Sequence, residues 1–178
     1  MKKTILTLAI SFASLNFLNA QITETSIEGV NFSKYPAKVE NSKAKLNLAS
    51  HSLGKTYKTA IYQQYKSEPI NFGGHYVMTF WGAGMGMTNG AMVDGKTGGI
   101  IPLPLTDENA IRDCVYNDND NIFHKKNSNL LVTFKCQRIG EYNESTNTQN
   151  IKLTYYYYKW DGKKFNLITT KTKNAVED

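Results

Sequence analysis

Between Asn71 and Asp94 the chain holds a short apolar run, a glycine-dense turn, and a second apolar run. Tyr76, Met78 and Phe80 fall on one face of an extended strand, and His75, Val77, Thr79 and Trp81 fall on the other. The stretch Gly82 to Gly90 is dense in glycine, and Gly90 to Asp94 then pairs back, so the pattern predicts a β-hairpin with a wide loop. Asp94-Gly95 signals a turn before Ile100 to Leu105, where Pro102 and Pro104 confine the piece to a sheet edge or an extended surface segment. Leu130, Val132, Phe134 and Cys136 alternate with Leu131, Thr133, Lys135 and Gln137. Ile151 to Trp160 reads as a long strand with tyrosines on both faces; Asp161-Gly162 turns it, and Phe165 to Thr169 returns. The polar run 170–178 reads as a frayed tail.

A helical period occurs once. Tyr57, Ala60, Ile61 and Tyr65 make a single stripe over Thr56 to Lys66, with Lys58, Gln63, Gln64 and Lys66 on the wet side and Pro69 as the stop. Gln21 to Leu53 has no strong period and predicts irregular structure with at most a short strand or two. Sequential hairpins with one amphipathic helix define an α+β class, a single domain dominated by an antiparallel sheet.

The first twenty residues stand apart from this pattern. Lys2 and Lys3 precede an apolar run from Ile5 to Leu18, and Leu18-Asn19-Ala20 ends on a small residue, as a signal peptide does. That run, about 14 residues, is shorter than a membrane-spanning helix requires. Residues 21–178 are therefore expected as one exported domain, periplasmic or secreted, without a transmembrane segment.

Charge changes the picture little. The formal net charge is +6 and falls to about +4 without the leader lysines, and the basic residues are almost all Lys, with Arg112 and Arg138 the exceptions. Scattered lysines with few guanidinium groups argue against nucleic-acid recognition. Cys114 and Cys136 lie in strand-like patterns without a neighbouring His, so a structural disulfide is the favoured reading over a catalytic thiol.

Several motifs match on paper only. Gly90 to Thr97 fits the spacing of a phosphate-binding loop, but Gly98, Gly99 and Pro102 forbid the helix which that mechanism needs. Lys96-Thr97-Gly98 and Ser42 to Lys45 echo acyl-enzyme motifs without their third element. Gly82, Gly84 and Gly86 are only loosely a dinucleotide fingerprint, since no helix follows. Asp113, Asp118 and Asp120 with Asn117, Asn119 and Asn121 could offer oxygens to calcium, but the spacing fails. His51, His75 and His124 show no metal-ligand spacing, so neither a metal nor a cofactor is expected.

The central block resembles a family of uncharacterised small secreted bacterial proteins. The resemblance rests on Asn71-Phe-Gly-Gly-His-Tyr76, Trp81-Gly82-x-Gly84, Val93-Asp94 with Lys96-Thr97-Gly98, and Tyr158 to Phe165, and spans about residues 31 to 170. It implies a compact exported domain and no established activity. Members often carry Cys at the positions of Ala83 and Met87, so a cross-linked loop is not implied here.

Two functional expectations follow. The first is a non-catalytic domain binding an envelope protein or glycan through the loop Trp81 to Thr88, with Gly82 and Gly84, and through exposed tyrosines among Tyr155 to Tyr158, chiefly Tyr156 and Tyr158, with burial of these tyrosines in two sheet faces as the equal alternative. The second is a small periplasmic hydrolase in which His75 acts as base, oriented by Asp94. Oligomeric state is open at this point.

Overall fold

The computed structural model describes residues 26–111, 113–114 and 122–177; the leader 1–20, Arg112 and the Asn117 to Asn121 acid and amide cluster lie outside them. A minimal hairpin, β1 (Ser26–Ile27) and β2 (Val30–Asn31), opens the described chain. Two helices follow, α1 (Ser52–Thr56) and α2 (Lys58–Ser67). Next come β3 (Tyr76–Gly82), β4 (Thr88–Asp94) and β5 (Ile100–Pro102), which form a three-stranded antiparallel sheet in that order. The larger sheet is β6 (Ile122–His124), β7 (Leu130–Arg138), β8 (Gln149–Trp160) and β9 (Phe165–Glu177), again sequential and antiparallel. The fold is α+β, mostly antiparallel strand, as the patterning predicts.

Three buried clusters stack the elements. Ile61 and Tyr65 of α2 pack on Val77, Ala91, Val93 and Ile100, one face of the smaller sheet. Its other face, through Tyr76, Met78 and Met92, packs on Leu131, Tyr158 and Trp160 of the larger sheet. The reverse of the larger sheet, including Val132, Phe134, Leu153 and Tyr157, lies under Ile27 and Phe32 of the N-terminal arm. Each such apolar side chain contributes about 1.5–3 kcal/mol on burial. Cys114 joins this last layer at disulfide distance from Cys136, their Cα atoms 5.7 Å apart, in agreement with the structural reading.

The amphipathic helix expected over 56–66 is α2; Tyr57, whose backbone leaves the helical region (φ −114°, ψ 31°) while its ring stacks on Trp81, separates it from the single turn α1. The structure corrects one expectation about the elements. The frayed tail from 170 is instead strand as far as Glu177. Lys171, Lys173 and Ala175 lie opposite Tyr155, Leu153 and Ile151; the lysines reach Glu28, and Arg138 holds Glu177.

The aperiodic stretch after Tyr35 has an ordered role. Residues 37–47 run as a strap across the turns of the smaller sheet: Glu40 N–H donates to Gly74 O (2.8 Å), Ala44 N–H to Gly95 O (2.7 Å) and Asn47 N–H to Gly98 O (2.9 Å). Lys43 fastens it by donating to the carbonyls of Tyr65 and Glu68 in the last turn of α2, the negative end of a helix. Such approach demands glycine: a Cβ at Gly98 would sit 2.0 Å from Lys45 O, and one at Gly74 2.2 Å from Lys38 O.

The outer edge of β3 is closed without a strand. Gln64 accepts from Phe80 N–H (2.8 Å) and donates to Phe80 O (2.7 Å), and Asn71 Oδ1 accepts from Met78 N–H (2.8 Å). Two side-chain amides thus take the place of a neighbouring backbone and blunt an edge that would otherwise template pairing.

Candidate functional site

His75 precedes β3 and Asp94 ends β4, and the register Tyr76↔Asp94 brings the two side chains to the same end of the hairpin. The gap from His75 Nε2 to Asp94 Oδ1 is 3.7 Å, too long for a hydrogen bond, with the side chains 20% and 19% exposed. Both carboxylate oxygens serve the turn instead. Oδ1 accepts from Lys96 N–H (2.7 Å) and Oδ2 from the Thr97 hydroxyl (3.1 Å). This is the local hydrogen bonding by which Asp stabilises turns.

The imidazole is set against protonation. Burial lowers the His75 pKa below its ordinary 6.5, and Lys96 lowers it further, while Asp94 and Glu40 oppose the change. Lys96 is itself held by Glu40 at 3.0 Å. The ring lies against Tyr76, centroids 4.1 Å apart, and no hydroxyl or thiol among the described residues hydrogen-bonds to it. A base needs a partner to deprotonate within reach, and the arrangement supplies a folded turn rather than a nucleophile.

The other histidines have separate local roles. His51 Nδ1 accepts from Leu53 N–H to cap α1, and His124 Nδ1 lies 3.0 Å from Asn71 O. Among the described residues no group of three or more His, Cys, Asp or Glu could hold a metal ion. The phosphate-loop spacing also dissolves: Gly90 to Val93 are β4, and Gly95 and Gly98 receive the strap.

At the opposite end of the hairpin, Trp81 stacks on Tyr57 at 4.2 Å between centroids and 18° between planes. From this base the loop 83–87 projects, closed by Ala83 N–H to Met87 O (2.9 Å) and Met87 N–H to Gly84 O (2.8 Å). Gly84, Met85 and Gly86 are successively left-handed (φ 87°, 45° and 71°). Added Cβ atoms at Gly82 and Gly84 would touch nothing within 4 Å, so neither is needed for packing, and only Gly84, at φ 87°, uses the backbone freedom of glycine. Met85 is 91% exposed at the tip.

Of the two readings of the tyrosine ladder, burial in the sheet faces holds for three of the four rings. Tyr155 and Tyr157 face the arm-side core, and Tyr158 is only 9% exposed, its hydroxyl accepting from Asn109 Nδ2 at 2.7 Å. Burial pushes the pKa of Tyr157 well up, and it also raises that of Tyr158, where Asn109 opposes the change. Tyr156 remains half-buried. The sequence reading misses Tyr57 and Met85: Tyr57 reads as part of a helical stripe, and Met85 has no patterned neighbour to single it out.

No known protein family matches this chain, and no curated protein or solved structure shows significant similarity to it.

Proposed function

We propose that this chain is a non-catalytic exported domain that binds an envelope protein or glycan through the Trp81 end of its first hairpin. The observation that carries the reading is Met85, standing bare on a left-handed turn above the Tyr57–Trp81 stack. An exposed thioether on a preshaped loop adapts to a partner surface at little ordering cost. Export is supported by the leader pattern and by the cysteine pair at disulfide distance. No helix among the described residues is long and apolar enough to cross a membrane.

The hydrolase alternative rests on the 3.7 Å approach of His75 to Asp94. It is the weaker reading, because the Asp94 carboxylate is engaged by Lys96 and Thr97.

The test is capture from an envelope extract on immobilised mature chain, comparing wild type with Met85→Glu and with Tyr62→Ala as a surface control. Burying a Met side chain is worth about 1.5–3 kcal/mol, so Met85→Glu should weaken recovery by roughly tenfold or more. Equal recovery by wild type and Met85→Glu sinks the proposal.

A further inference from the structure

We propose a second binding site, at the far end of the larger sheet, for a neutral carbohydrate ring. A cavity of about 390 Å³ opens there, lined by Arg138, Tyr142, Asn147, Gln149 and Glu177. These residues come from the end of β7, the β7–β8 loop, the start of β8 and the end of β9. None belongs to the Trp81 surface, so the site stands independently of it.

Charge selects the ligand class first. Arg138 donates from Nε to Glu177 Oε2 (2.8 Å) and from Nη2 to Oε1 (2.9 Å). The pair is formally neutral, so the cavity offers no net field to a free anion or cation.

Hydrogen-bonding capacity selects next. Gln149 is 8% exposed. Its Nε2 donates to Ile139 O (2.8 Å), with longer approaches to Asn150 O (3.3 Å) and Gly140 O (3.4 Å), which fixes the amide orientation. No donor among the described residues reaches Gln149 Oε1, which leaves this acceptor open to solvent on the cavity wall and available to a ligand. Asn147 Oδ1 accepts from the Tyr142 hydroxyl, and its amide nitrogen has no acceptor among the described residues. One unmet acceptor and one unmet donor suit hydroxyl groups, which do both.

Shape completes the argument. The Tyr142 ring is 52% exposed and offers a flat apolar face, as sugar rings require of their C–H side. The loop is built before any ligand arrives: Asn143 Oδ1 accepts from Ser145 N–H (3.1 Å), Ser145 Oγ (2.7 Å) and Thr146 N–H (3.3 Å). This site also gives the polar end of β9 a purpose, since its described last residue, Glu177, is the one that neutralises Arg138.

Amide-resolved NMR titration of the mature chain, with glucose, galactose, mannose and N-acetylglucosamine added separately, tests the proposal. At least one sugar should give saturable shifts at 138–149 and 175–177, while acetate should not. Tyr142→Ala should weaken the binding by about tenfold, the scale of one lost ring contact. Asn147→Gly serves if that variant misfolds, because the position has φ 56° and glycine accepts it. No saturable shift with any sugar, equal saturation by acetate, or an unchanged affinity in both variants overturns the site. Shifts confined to residues 57 and 81–88 would also overturn it while favouring the Trp81 surface.

Discussion

Two glycines with the same backbone sign isolate what the strap contributes to stability. Gly98 has φ 73° and Gly84 has φ 87°, so alanine at either position carries the left-handed penalty of about 1–2 kcal/mol. Only Gly98 is crowded. Its added Cβ would lie 2.0 Å from Lys45 O and 3.1 Å from Asn47 N, all backbone that cannot swing aside, whereas Gly84 has nothing within 4 Å. Relief requires the strap to lift, which breaks Asn47 N–H to Gly98 O and strains Ala44 N–H to Gly95 O. Each lost bond costs about 1 kcal/mol net. Gly98→Ala should therefore lose about 2–4 kcal/mol and Gly84→Ala about 1–2 kcal/mol. Urea denaturation followed by tryptophan fluorescence reads both, since Trp81 and Trp160 lie in separate clusters. Equal losses in the two variants would refute the strap as a fixed element.

Two further outcomes follow from the same structure. Because burial depresses the His75 pKa, the folded chain holds this histidine neutral more strongly than the unfolded chain does. The resulting stability is present above the ordinary 6.5 and is lost as pH falls below it through the folded value. Thermal midpoints measured at falling pH should drop less steeply for His75→Gln, and parallel curves would contradict the assignment. Reduction of the Cys114–Cys136 pair, 22 residues apart, should cost about 3 kcal/mol by loop entropy. Denaturation with and without reductant measures it, and an unchanged midpoint would speak against a bond in solution.

The hairpin at 76–94 was legible because a glycine-dense loop and the Asp94-Gly95 turn bound two apolar runs, continuous since both faces of the strands are buried against different layers. The strap at 37–47 was not, since its contacts are backbone hydrogen bonds and the polar side chains of Glu40 and Lys43, which leave no hydrophobic period; its trace is the set of glycines in the turns it crosses. Those glycines are also what mimic nucleotide motifs. The end of β9 escaped notice because Thr170, Thr172 and Asn174 face solvent, so exposed strand and polar coil look alike in composition. Tyr155 to Tyr158 left two readings open, because four adjacent aromatics suit an exposed surface as well as a strand between two layers, which buries both parities. The His75–Asp94 proximity was readable from the hairpin register, while the engagement of Asp94 by its own turn emerged only with the geometry.

The amides that close β3 give this protein a chemical clock. Hydrolysis of Asn71 to Asp would leave its oxygen still able to accept from Met78 N–H, so that part of the edge survives ageing. Hydrolysis of Gln64 to Glu would set a carboxylate oxygen against Phe80 O, where an N–H now donates, and the edge would open. Asparagine deamidates through a five-membered ring and glutamine through a slower six-membered one. The position that cannot tolerate the change is thus occupied by the longer-lived amide.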